Sequence, residues 1–146
     1  MFDNEKVCAA CGGECCKRFP GSAFPEDFGL PEDTSRIREA LKSGRWCIDW
    51  WEGDSTGKRE GAWRTLFVRP AIKGKEGRIY DPSWGGECTF LTNSGCSIDS
   101  DHRPLGCKKL EPKGGGCILH DNADKKASSI AWVKYEALLL EIGDIP

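Results

Sequence analysis

No apolar stretch in this chain lasts more than a few residues. The run Leu138-Leu139-Leu140 falls far short of the roughly 20 apolar residues that a bilayer-crossing helix needs. The opening residues, Met1-Phe2-Asp3-Asn4-Glu5-Lys6, are polar and include two acids. They contain no apolar h-region of the kind a secretory leader carries. Strong charge of one sign is also missing: the formal net charge is -2. That balance gives no electrostatic case for a nucleic-acid partner. No Walker or dinucleotide-binding glycine pattern occurs. No Ser-His-Asp or Cys-His arrangement can be read, and the only histidines are His102 and His120.

Apolar bulk is in short supply too. Hydrophobic residues make up 38% of the chain against 30% charged, and 18 glycines and 8 prolines break it up. A lean core with many turns usually needs a disulfide or metal staple. A length of 146 residues suits one domain. We therefore expect residues 1–146 to form one small, loop-rich α+β domain. It should have a few short strands, two or three helices and a cysteine-ligated metal core.

What the chain does have is nine cysteines. Secreted disulfide scaffolds usually carry an even number and a leader. An odd count with a polar start favours the cytoplasm, where thiols stay reduced. Clustered reduced thiols are then expected to be metal ligands in preference to disulfide halves; of the neighbours Cys15 and Cys16, both can serve one cluster, or one can serve while the other packs in the core. Four fall close together in Cys8-Ala9-Ala10-Cys11-Gly12-Gly13-Glu14-Cys15-Cys16. Cys8 and Cys11 have the spacing at which one turn grips one ion, and Gly12 and Gly13 allow a tight backbone turn. A second group, Cys88, Cys96, Cys107 and Cys117, lies far along the chain. We expect the two groups to meet around metal. Cys47 stands apart from both and reads as a core thiol.

Between the groups, 17–31 reads as a connecting loop with a short helical turn after Pro25, where Glu26 and Asp27 suit a helix start. Residues 33–43 read as a helix through Ile37, Ala40 and Leu41, capped by Thr34 or Ser35 and ended by Gly44. Trp46, Ile48 and Trp50 alternate like a strand with one buried face. The tryptophans could form a binding surface, but core bulk is the simpler reading. Residues 62–70 read as a second strand, with Arg78-Ile79-Tyr80 pairing back on it as a hairpin. The basic residues Lys73, Lys75 and Arg78 read as a solvated loop. Cys88-Thr89-Phe90-Leu91 reads as a short strand and Asn93-Ser94-Gly95 as a tight turn, which would fold Cys96 back toward Cys88. A helix over 127–142 carries the stripe Ile130, Val133, Ala137 and Leu140, widened by Trp132, Tyr135 and Leu139. Ser128 or Ser129 could cap its start, and Gly143 ends it.

Taken together, Cys8-x2-Cys11-x3-Cys15-Cys16, Cys88-x-Phe90-Leu91, Cys96-Ser97-Ile98 and Arg103-Pro104-x2-Cys107 resemble the CxxCxxCC or YkgJ-type cysteine-cluster family. That family is described as a zinc- or iron-chelating domain. The chain departs from its name by having three residues, not two, before the paired cysteines. The resemblance implies that Cys8, Cys11, Cys15, Cys16, Cys88, Cys96 and Cys107 are signature positions. Cys117 joins them on spacing. A flagellin lysine N-methylase carries a related cluster, so the wider group contains enzymes.

Eight candidate thiols allow two closed zinc sites, or an iron–sulfur cluster with further ligands or a separate ion. Arg103 could donate to the sulfurs and offset their charge, or form an ordinary surface ion pair. His120 has ligand-like spacing from Cys117, whereas His102 reads as a loop residue; neither is counted as a ligand. Three roles remain open: a metal-stabilised binding or assembly domain, an iron–sulfur enzyme or electron carrier, and a metal-handling protein. Metal ions are the only partner the sequence indicates.

Overall fold

The computed structural model describes residues 22–61, 64–82, 86–92, 95–97, 112–113, 116–117 and 123–145. Its architecture is α+β, as the sequence predicts. A two-stranded antiparallel sheet pairs β1 (Trp46–Glu52) with β2 (Arg64–Pro70), in a register running from Trp46 opposite Pro70 to Glu52 opposite Arg64. Helix α1 (Ser35–Lys42) packs on β1. Helix α2 (Ala123–Trp132) packs on both strands. A 3-10 turn (Val133–Tyr135) then leads into α3 (Glu136–Gly143). No helix among the described residues is long and apolar enough to cross a membrane.

The sheet is covered on both faces. Cys47, Ile48 and Asp49 are buried in succession on β1, as are all residues of β2 after Arg64. The single buried face expected of Trp46, Ile48 and Trp50 is thus only half of the arrangement. Trp46 and Trp50 are half-buried and pack against the core, whose largest members include Trp132, Phe67, Ile37, Leu41 and Ile48.

The outer edges of this ribbon are covered by short neighbouring segments. Opposite residues in an antiparallel pair alternate between exchanging hydrogen bonds and turning those groups outward. Ile48 and Val68 turn theirs outward. Ala23 donates to the Val68 carbonyl at 2.8 Å. On the other edge Ile48 donates to the Ile79 carbonyl at 2.6 Å, and Asp81 donates to the Ile48 carbonyl at 2.9 Å. Residues 78–80 therefore do not form the expected hairpin with the preceding strand. Tyr80 bridges in parallel to Ile48 of β1, while Ala23 occupies the edge of β2.

The expected turn after Pro25 is a 3-10 helix, Pro25–Phe28, whose start is held by Phe24 N–H donating to Asp27 Oδ2 at 2.7 Å. Helix α1 begins where expected, but neither Thr34 nor Ser35 caps it through its side chain. Asp33 performs that task, accepting from both Ser35 N and Ser35 Oγ. These Ser35 bonds hold the Asp33 carboxyl below its ordinary pKa. Gly44 follows the helix at φ 82°, and a Cβ there would stand 2.9 Å from the Gly77 nitrogen. The left-handed backbone and the close approach both require glycine.

The last helical segment turns a different face inward than its stripe suggests. Ile130 is 43% exposed and Ala137 is also exposed. The buried residues are Ser128, Ser129, Trp132 and Leu139. Two polar anchors decide the orientation. Ser128 Oγ and Trp132 Nε1 both donate to the Ala23 carbonyl, at 2.7 and 2.9 Å. Ser128 and Ser129 lie inside α2 and not at its start.

Candidate metal centre

Of the eight candidate ligands, the described residues give a side-chain position to Cys88 alone. Its sulfur is a free thiol, buried to 2% exposure. Cys88 is placed by an antiparallel bridge to Ile72, flanked by Lys73 N–H donating to Glu87 O and Thr89 N–H donating to Ala71 O. The chain then reverses: Leu91 N–H donates to the Cys88 carbonyl at 3.0 Å. Strands β3 (Leu91–Thr92) and β4 (Gly95–Cys96) pair as a hairpin, with Leu91 opposite Cys96, and the strand expected over 88–91 is a turn up to Phe90. Ser97 N–H closes it by donating to the Phe90 carbonyl at 2.7 Å. The backbone of Cys96 is thus folded back toward the Cys88 turn.

Cys117 lies on a second hairpin, β5 (Pro112–Lys113) with β6 (Gly116–Cys117), opposite Pro112. Cys8, Cys11, Cys15, Cys16 and Cys107 lie outside the described residues, as do Arg103, His102 and His120. Among the described residues no group of three or more His, Cys, Asp or Glu side chains is placed to hold an ion. Among the described residues Cys88 forms no disulfide.

An aromatic bridge runs from the segment after residue 22 to the Cys88 turn. Phe28 meets Trp46 edge-on at 5.3 Å between ring centres, and Trp46 meets Phe90 at 5.3 Å. Phe90, Leu91 and Cys88 form a small apolar cluster against Trp46. The three tryptophans of 46–51 therefore supply bulk at least through Trp46, which links the two clusters.

Cys47 belongs elsewhere. Successive residues of a strand point to opposite faces, so Cys47 faces away from Trp46 and the Cys88 cluster. It shares its face with Asp49 and, across the strand, with Arg69. Arg69 is wholly enclosed at 1% exposure. Its Nε donates to Asp49 Oδ2 at 2.8 Å, Nη1 to Pro70 O at 3.0 Å and Nη2 to Asp81 O at 3.0 Å. Asp81 Oδ2 stands 3.7 Å from Nη2. Burial pushes the Cys47 thiol up to about 12, against the opposing pull of Arg69. A thiol held neutral in this way is a poor nucleophile, which agrees with its reading as a core thiol.

A second polar knot closes the link between β1 and β2. Asp54 accepts from Thr56 N, Thr56 Oγ1, Lys58 N, Arg59 N and Arg59 Nε. Arg59 also donates to Glu136 of α3 through Nη1 and to Thr65 Oγ1 through Nη2. Burial alone would raise the Asp54 pKa, but the Arg59 and Thr56 hydrogen bonds outweigh it and lower the value well below the usual range.

Both polar groups escaped the sequence reading. The Arg69 cluster's one visible signal is an acid or a base inside an otherwise apolar strand: Asp49 between Ile48 and Trp50, Arg69 between Val68 and Pro70. Comparisons with protein-family models, with curated proteins and with solved structures return no match to this chain.

Proposed function

We propose that this chain is a cytoplasmic metal-thiolate protein. In it Cys8, Cys11, Cys15 and Cys16 join Cys88, Cys96, Cys107 and Cys117 around zinc or an iron–sulfur cluster, as the YkgJ-type resemblance implies. The observation that carries the reading is the Cys88 turn. It presents a free thiol at the head of a hairpin whose return strand carries Cys96.

Reach supports the other half. Cys16 precedes Ser22 by six residues, a span of at most about 20 Å when extended. Ser22 and Ala23 are held against β2, and Phe28 is linked through Trp46 to Phe90.

The metal would supply the staple that a lean core needs. Closed zinc sites are redox-silent and contribute directly to folding; an iron–sulfur cluster would add electron transfer. Absorbance of protein purified without air tells the two apart. A brown protein with broad visible absorption holds iron–sulfur, and a colourless metal-loaded protein holds zinc. Chelation should lower the melting temperature in either case. A melting curve unmoved by complete metal removal would overturn the structural role.

A further inference from the structure

Helices α2 and α3 do not run on as one. Between them the backbone tightens into the 3-10 turn Val133–Tyr135, and Tyr135 leaves helical geometry at φ -111° and ψ 14°. Short 3-10 stretches within a helix often mark hinges. A cleft of about 360 Å³ adjoins the break, lined in part by Ile130, Val133 and Tyr135, by Pro25 and Leu30, and by Thr56 from the link after β1. Among the described residues one hydrogen bond crosses from that link, residues 53–61, to the last helical segment. Arg59 Nη1 donates to Glu136 Oε2 at 2.5 Å, and Glu136 is the first residue of α3. The other donors of Arg59 are anchored: Nε on Asp54 Oδ1 at 3.2 Å, and Nη2 on Thr65 Oγ1 of β2 at 3.2 Å. Thr65 Oγ1 in turn accepts from Ser55 N–H at 3.0 Å and donates to the Gly53 carbonyl at 2.7 Å. The link is thus built on the sheet through its own bonds.

We infer that the junction of α2 and α3 is a hinge, latched by Arg59 through Glu136, and that releasing the latch widens the cleft. The latch joins the sheet to the residue directly after the break, so it acts on the hinge with no element in between. Trp132 and Leu139 are fully buried on either side of the break. They keep α2 and α3 seated and confine the motion to the residues between them. The Arg59 and Glu136 side chains are 30% and 35% exposed. Water and salt compete for such a pair, and its attraction stays small enough for thermal opening. The Asp49–Arg69 pair, 4% and 2% exposed, has no such release. No motif marks the latch in the sequence, because Arg59 and Glu136 meet only through the fold.

The test is amide hydrogen exchange of the full chain, read at residues 133–138 and in β1 and β2. In the parent the junction should exchange faster than the sheet, because a hinge opens without global unfolding. Glu136→Gln keeps the size of the side chain and removes its charge. It should speed exchange at the junction by about 3-fold, the scale of a half-exposed ion pair. Added salt should speed it in the parent and have little effect in the variant. The Thr56, Lys58 and Arg59 amides should keep their parental rates in Glu136→Gln, because their acceptor, Asp54, stays in place. The dye 1-anilinonaphthalene-8-sulfonate should fluoresce more strongly with the variant as the cleft widens. A junction that exchanges no faster than the sheet is no hinge, and parental exchange there in Glu136→Gln means that Arg59 does not latch it. Either result overturns the inference, as does dye fluorescence equal to that of the parent.

Discussion

Asp49 of β1 and Arg69 of β2, diagonal neighbours across the strand pair, form a buried ion pair, 2.8 Å apart, with side chains 4% and 2% exposed. Each charge loses its water on burial, and the pair is tolerable only because the Arg69 donors also reach the Pro70 and Asp81 carbonyls. Removing Asp49 takes away the nearer carboxylate and leaves the buried Arg69 with Asp81 Oδ2, 3.7 Å from Nη2, as its counter-charge. Asp49→Ala should cost about 3–5 kcal/mol of unfolding free energy in urea titration. Arg38→Ala, which breaks the exposed Arg38–Glu141 pair, should cost under about 1 kcal/mol. Equal effects from the two substitutions would contradict the buried cluster.

The orientation of the last helical segment makes a second comparison. Leu139 is fully buried whereas Ile130 is 43% exposed. Leu139→Ala should destabilise by about 2–5 kcal/mol. Ile130→Ala should stay within about 0.5 kcal/mol of the parent. Chemical denaturation of the two variants checks this, and the reverse order would restore the stripe through Ile130.

Cys47 predicts a loss of stability in alkali. Its folded-state pKa is pushed up to about 12 by burial, above the ordinary thiol value that the unfolded chain regains. Between those two values the unfolded state binds fewer protons, so stability must fall as pH rises. The loss begins near pH 9, below which the contribution is complete, and continues toward pH 12. Cys47→Ala should flatten this part of the pH–stability curve. The same burial predicts that Cys47 resists alkylation in the folded protein near pH 8 and reacts on unfolding.

Asp54 works in the opposite direction. Its carboxylate is favoured by the Arg59 and Thr56 hydrogen bonds and so stays charged to unusually low pH. The stability it brings is present above the ordinary carboxyl pKa and is lost as pH falls toward the lowered value. Asp54→Asn keeps the shape but not the charge. It should raise amide hydrogen exchange at Thr56, Lys58 and Arg59 near neutral pH, where Asp54 is charged in the parent. Unchanged exchange there would mean that the knot holds without its carboxylate.

The elements written in local pattern were legible in the sequence. The turn at Pro25, α1 with its glycine stop, both long strands and the β3–β4 hairpin all depend on neighbouring residues. What escaped depends on partners far along the chain. The face of α2 is set by Ser128 and Trp132 reaching the Ala23 carbonyl, which overrides the more apolar stripe through Ile130. Tyr80 joins β1 because Ala23 takes the edge of β2, a choice that no local pattern encodes. Arg69 reads as a polar strand residue until Asp49 and Asp81 are brought beside it. For the site, spacing anticipated the return of Cys96 toward Cys88.

Metal counted per chain in protein purified without air tests the central claim most directly. A metal-thiolate core predicts stoichiometric zinc or iron in the parental chain, reduced by Cys8→Ser or Cys88→Ser together with the melting temperature, and unchanged by Cys47→Ser. A parental chain free of metal, or full loading that survives Cys8→Ser and Cys88→Ser, would contradict it.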